Sequence, residues 1–432
     1  MTLAATFLGG AKGRLLPASI PFRFFAAAAV FHVLMWFALA LSPHEAADFH
    51  GGPGPALAAI HALTLGTLTI AAIGASVQLL PVATRRALAA LWPIKLVFWL
   101  VVPGTLVLFV GMYAAQPALL DLGAGLTSIG LFVFAALLAD NLRRADALPV
   151  VAAYGWAALA SLLVLAALGF ALALDFRLGA LPNHRAVALA HMLLGGFGFM
   201  GMLALGFSHV LVPMFALAAA PAKRSGSIGF FMAAAAIVMG SAGALLNAVW
   251  LLTGAALIGL SAALFHLWLM HRLLVAGMRK RLGLSFVLIR FAWLILPLTL
   301  LVGIAALYDL AGPNGPTLFG FMLIGGWLLT FLLGILQRIL PFLASMHAVR
   351  SPGGAPLLVS ELAAAAPLKV HASCHVCALA VLASAIATDS AALFRVGTLV
   401  GLIGAVAFAW FTGQVLRKLM GEFHLIPSRA EG

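Results

Sequence analysis

Twelve long apolar runs follow one another along the chain, separated by short breaks of Gly, Pro and basic residues. A helix needs about 20 apolar residues to cross the hydrocarbon of a bilayer. Inside that layer the backbone must satisfy its own hydrogen bonds, so each run reads as a spanning helix. The approximate limits are 20–42, 56–81, 90–115, 117–142, 150–174, 185–217, 228–251, 254–276, 285–310, 317–346, 367–388 and 392–418. Charge is scarce to match: 24 Lys and Arg and 11 Asp and Glu in 432 residues, against 64% hydrophobic. That is too little to solvate the surface of a soluble domain. The expected fold is an all-α polytopic membrane protein, a single membrane domain over 1–432 with the lipid bilayer as its first partner. A soluble enzyme, a disordered chain and a disulfide scaffold are excluded, and the two cysteines, Cys374 and Cys377, fall within one apolar run.

A net charge of +13 raises nucleic acid as a partner, but its distribution argues otherwise. Basic residues gather in alternate breaks: Lys12, Arg14 and Arg23; Arg85, Arg86 and Lys95; Arg143 and Arg144; Lys223 and Arg224; Arg272, Arg279, Lys280 and Arg281; Arg350 and Lys369; Arg417, Lys418 and Arg429. The intervening breaks hold only Arg177, Arg185 and Arg395. This is the positive-inside pattern. It predicts both termini in the cytoplasm of a cell with a bacterial-type inner membrane, and no nucleic-acid partner. The first run follows a basic segment without a small-residue cleavage site, so it reads as a signal anchor.

The runs also repeat. The second reads His61-x4-Gly66-x7-Gly74-x6-Pro81 and the tenth Phe321-x4-Gly326-x7-Gly334-x6-Pro341, displaced by 260 residues. The sixth reads His191-x4-Gly196-x9-Gly206-x6-Pro213. Three four-helix units in the same orientation, 20–142, 150–276 and 285–418, are the simplest account. The glycines let a neighbouring helix or a flat cofactor approach the backbone.

Thirteen histidines in so apolar a chain call for partners, and Asp121, Asp140, Asp146, Asp175, Asp309 and Asp389 all sit at predicted ends or breaks. Ligation by neutral imidazole is the natural alternative to salt bridging. His61 and His191 lie about 30 Å along their helices from Pro81 and Pro213. At that matched depth they are candidate axial ligands of one haem, with Gly66 and Gly196 giving it room; the alternative for each is a bond to a helix carbonyl or water. His371, Cys374 and His375 share a helix face, and with His209 they form a candidate copper or zinc site. His32 and His266, near mid-membrane, are further candidate haem ligands or polar packing residues. Arg338 either pairs a haem propionate or snorkels. His44, His50 and His184 read as outer loop residues; His271, His347 and His424 as solvated. Trp36, Trp92 and Tyr308 fit interface anchors, and Trp327 a core residue or a cofactor neighbour.

Twelve spans, three four-helix arcs and a His early in the second helix followed by Gly and a Gly-x6-Pro exit resemble the haem-copper oxidase subunit I superfamily. The likeness is to its short relatives near the nitric oxide reductase and cbb3 branches, in the segments HALTLGTLTIAAIGASVQLLPV, LGFSHVLVPMFALA and GILQRILPFL. The resemblance implies that His61 ligates a low-spin haem. Its usual partner, a His on the tenth helix, is missing because Phe321 stands there, and Gly195 follows His191 by four where Tyr or Glu is usual. The family's binuclear centre is therefore not expected. A weaker resemblance, to the NnrS family of haem- and copper-containing membrane proteins, rests on the His-x4-Gly start; Leu80-Pro81-Val82 replaces that family's exit.

The resulting expectation is a b-type haem protein, since no Cys-x-x-Cys-His attachment motif is present. It would transfer electrons or bind a diatomic gas such as nitric oxide or oxygen, with copper as a second metal and a quinol or cytochrome as donor. It would act alone, as a homo-oligomer or in a larger respiratory complex. The competing class is a channel or transporter whose histidines line a metal or proton path.

Overall fold

A computed structural model describes residues 16–44, 49, 51–88, 90–145, 147–350 and 358–424. Lys12, Arg14, His50, Asp146, Arg429 and the 351–357 part of the longest connection lie outside the described residues, as do the side chains of Arg350 and His424. Twelve helices are long and apolar enough to cross a membrane: α1 (Ser19–Leu41), α2 (Pro55–Val82), α3 (Trp92–Tyr113), α4 (Pro117–Arg143), α5 (Pro149–Leu178), α6 (His184–Ala216), α7 (Lys223–Leu245), α8 (Val249–Ala276), α9 (Leu284–Leu307), α10 (Gly315–His347), α11 (Ala365–Thr388) and α12 (Ala391–Met420). A single turn, Val359–Leu362, precedes α11. No strand occurs among the described residues. The protein is an all-α, multi-pass membrane protein.

Local sequence explains the punctuation. Proline occupies the first turn of α2, α3, α4, α5 and α10, where its missing N–H costs nothing. Three hairpins turn on one left-handed residue: Ala115 between α3 and α4, Asn247 between α7 and α8, and Asp389 between α11 and α12. In each, the next N–H closes back on a carbonyl five residues earlier (Gln116 to Gly111, Ala248 to Gly243, Ser390 to Ala385), the Schellman arrangement. The α7–α8 break therefore lies at Asn247 and not at 252–253, where the sequence reading put it. Asn tolerates the left-handed region, and Val249, Trp250, Leu251 and Leu252 open α8 instead of closing α7.

Packing follows the same cadence. Helices α3 and α4, α7 and α8, and α11 and α12 lie along one another; α1, α5 and α9 pack on α2, α6 and α10. Further contacts join α4 to α5, α8 to α9 and α12 to α1, which closes the ring. The most buried helices are α2, α6 and α10. Each contains an eight-residue π-helical stretch, Ala62–Thr69, Leu194–Gly201 and Met322–Leu329, ending twelve residues before Pro81, Pro213 and Pro341. Such runs are rare and concentrate at functional sites. The wider helix brings Thr hydroxyls onto carbonyls five residues back: Thr67 to Ala62, Thr69 to Thr64 and Thr330 to Gly325. The three stretches are displaced by 132 and 128 residues, which places Leu193 opposite His61 and Gly198 opposite Gly66. His191 is thus two residues ahead of the position that its spacing to Gly196 suggested.

At the proline end of α2 the exit is tied to α4. Thr84 Oγ1 donates to Asn141 Oδ1 (3.1 Å), and Asn141 Nδ2 donates to the Arg86 carbonyl (3.0 Å). Asn141 is buried, so Asn141→Leu removes both bonds of the tie, while Thr84 keeps its bond to the Leu80 carbonyl (2.8 Å). The substitution should cost about 1–3 kcal/mol, read as a lower denaturation temperature in detergent. An unchanged temperature would show that the tie is not structural.

Candidate functional site

The intramembrane histidines fall into three groups, each between different helices. The first joins α2 and α6 about 10 Å from the ends opposite Pro81 and Pro213. The His61 and His191 ring centres are 6.4 Å apart and the ring planes 27° from parallel. His61 Nδ1 bonds its own helix at the Leu57 carbonyl (3.0 Å); His191 Nδ1 bonds the Leu165 carbonyl of α5 (3.1 Å). Carbonyls only accept, so both δ nitrogens carry hydrogen. In the neutral rings both ε nitrogens then carry lone pairs, which is how ligating imidazoles are held. Gly169 of α5 makes this possible for His191, since a Cβ there would lie 2.8 Å from His191 Cε1. Neither histidine is fully buried, and Thr64, Leu65, Met192, Leu193, Phe321 and Met322 around them are also half-buried. Further along the same helices Ile70, Met202 and Leu333 are buried. The three central helices are therefore less buried at the histidine end than further along.

The second group lies between α6 and α8. His209 and His266 have ring centres 6.0 Å apart at 68°, flanked by Tyr154 (5.6 Å from His209) and Trp293 (6.0 Å from His266). The third lies between α1 and α11. His371 and His375 stack with centres 5.7 Å apart, and His32 approaches His371 at 6.2 Å. Trp36, Thr330, Gly404 and Phe408 complete it.

Several expected placements change. His209 sits with His266 and Tyr154, while His371 and His375 gather with His32; the depth of a residue along its helix does not say which neighbour it faces. Cys374 packs against Gly404 of α12. Gly66 and Gly196 seat side chains of adjacent helices, Phe31 and Leu323 respectively. Arg338 lies over the Phe215 ring at the proline end, about 25 Å along α10 from Phe321 and away from His61 and His191. Trp36, expected at an interface, is buried against His32, whereas Trp92 and Tyr308 are exposed as anchors should be. His347, expected in solvent, is buried beside Phe22. His184 opens α6 and pairs with Asp175 (2.7 Å), and Arg395 donates to His44 (3.0 Å). Trp327 is buried against Phe197. Sequence reasoning missed Leu57, Leu165, Gly169, Trp36, Tyr154 and Thr330. The first two act through backbone carbonyls, which leave no residue signature.

Among the described residues no group of three or more His, Cys, Asp or Glu side chains is placed to hold a metal ion. Two imidazoles are an incomplete set for zinc or copper, but they are a complete axial set for haem iron, whose other four ligands come from the porphyrin. Two rings bonded at about 2 Å to opposite sides of one metal have centres about 6 Å apart, close to the 6.4 Å of His61 and His191. The donor chemistry of this pair fits a haem. No protein-family model matches this chain, and no curated protein does.

Proposed function

We propose that the protein is a membrane electron-transfer protein holding a b-type haem between α2 and α6, with His61 and His191 as its two axial ligands. The observation that carries the reading is the pair itself: near-parallel imidazoles 6.4 Å apart, each with its δ nitrogen engaged by a backbone carbonyl. Bound there, the haem would supply reversible one-electron chemistry. The chain's part is to fix the orientation of both rings, through Leu57, Leu165 and the flat approach that Gly169 permits. Because both axial positions would be occupied by imidazole, electron transfer is favoured over gas binding. The distribution of the basic breaks supports an orientation with this pair in the leaflet away from the cytoplasm, and a quinol or an external cytochrome is the proposed donor. The recurring packing and the three π-helical stretches support three four-helix units and, with them, the architectural resemblance to the haem-copper oxidase subunit I superfamily. Copper at α11 is not part of the proposal, since His209 lies in another group.

Protein purified from haem-replete cells should carry about one b-type haem per chain, with a Soret band and a sharp α-band on reduction. Carbon monoxide should leave the reduced spectrum unchanged. A folded, colourless preparation would sink the haem reading, and a carbon monoxide shift in the wild-type protein would favour gas binding.

A further inference from the structure

The group on α1 and α11 goes beyond the haem reading and does not rest on it. His32, His371 and His375 are 1%, 0% and 2% exposed, and their hydrogen bonds determine where the protons sit. An indole N–H only donates, so Trp36 Nε1 donates to His32 Nε2 (3.2 Å), which must carry a lone pair. His32 is therefore neutral, with its hydrogen on Nδ1. The Gly404 carbonyl accepts from His371 Nδ1 (3.2 Å), which leaves the lone pair of the neutral ring on Nε2. Thr330 Oγ1 donates to the Gly325 carbonyl (3.1 Å) and so accepts from His375 Nε2 (2.8 Å).

Two buried ring nitrogens remain unpartnered. His32 Nδ1–H and His371 Nε2 are both buried without a protein partner, on rings 6.2 Å apart and 80° from parallel. They do not bond each other directly. A molecule bonded to both at about 2.8 Å would separate the two nitrogens by about 5 Å, a spacing that these rings allow. Buried polar groups are almost always satisfied, by ordered water where protein cannot reach.

We propose that His32 Nδ1 and His371 Nε2 bind one neutral, water-sized molecule, which accepts from the first and donates to the second. Water is the class member at hand. The tautomers argue against a cation: bonding one at His32 Nδ1 would require an imidazolate while Trp36 holds the other nitrogen, and no third ligand converges there. The molecule bridges α1 to α11, at the seam where the last helices of the ring meet the first.

The test uses the full chain in bilayers. With 15N-labelled histidine, solid-state NMR should show His32 and His371 neutral and protonated on Nδ1, with polarisation transfer from water to the His32 Nδ1 hydrogen. Absence of that transfer, an imidazolium shift, or a metal-ligated shift at either ring overturns the proposal. Melting temperatures give a second readout. His32→Phe and His371→Phe should each lower it, and the double variant should fall by less than the sum of the two singles, because the shared molecule is lost only once. A rise with His32→Phe, or costs that add, shows that nothing is shared. Retention of one equivalent of copper or zinc that His371→Phe removes would show a metal site instead. If a variant does not fold, the NMR measurement on the wild-type protein decides alone.

Discussion

His61→Ala and His191→Ala should each abolish the six-coordinate haem spectrum of the purified protein, while yield and elution volume stay those of the wild type. Each removes one of the two proposed ligands and leaves its partner held by a separate carbonyl, Leu165 for His191 and Leu57 for His61. Haem content should fall several-fold, and any haem that stays should be five-coordinate and newly able to bind carbon monoxide. The change should be equal for the two variants, because the rings face each other across one site. A spectrum that survives either substitution would move the cofactor to another histidine group. His209→Ala and His32→Ala serve as the comparison, since both lie outside the pair.

Gly123→Val should prevent accumulation of folded protein. The α3–α4 hairpin is the tightest helix contact in the fold, and a Cβ at Gly123 would run into the Leu108 backbone. At Gly111 it would meet the Leu120 backbone. Backbone cannot rotate aside as a flexible side chain does, so the helices must separate along their length. In a bilayer, association rests on such close packing because lipid is as apolar as the side chains it replaces. The cost should exceed about 4 kcal/mol, read as loss of the monodisperse peak in detergent. Gly413→Ala in α12 is the control, since nothing lies within 4 Å of the added methyl and it should behave as wild type. A Gly123→Val protein that folds normally would refute the hairpin packing.

Most of the fold was legible because spanning helices declare themselves by length and hydropathy; Pro81, Pro213 and Pro341, expected at the exits, lie inside their helices, which end at Ala83, Ala216 and Arg350. The position of the α7–α8 turn was not, since Asn247 sits inside the apolar run that the sequence delimits as 228–251. The His61–His191 pair could be anticipated from matched depth on two helices of similar pattern. The His32–His371–His375 group could not: His32 and His371 lie on the first and eleventh helices, and only ring closure makes those neighbours. Gly169 looked like any other small residue in a Gly-rich chain. Its requirement comes from a ring 22 residues away in the chain, at His191.

The three π-helical stretches also act as phase shifters. Successive residues of an α-helix advance by about 100°, and a wider turn holds back the angular advance of everything beyond it. In α2 the face that presents His61 is therefore set out of step with the face that meets α4 around Pro81, and the same holds for α6 and α10. A one-residue deletion within 62–69 would restore an ordinary helix and swing His61 away from His191, with no change to either histidine. The alignment of His61 with His191 is thus a property of helix winding as much as of residue identity.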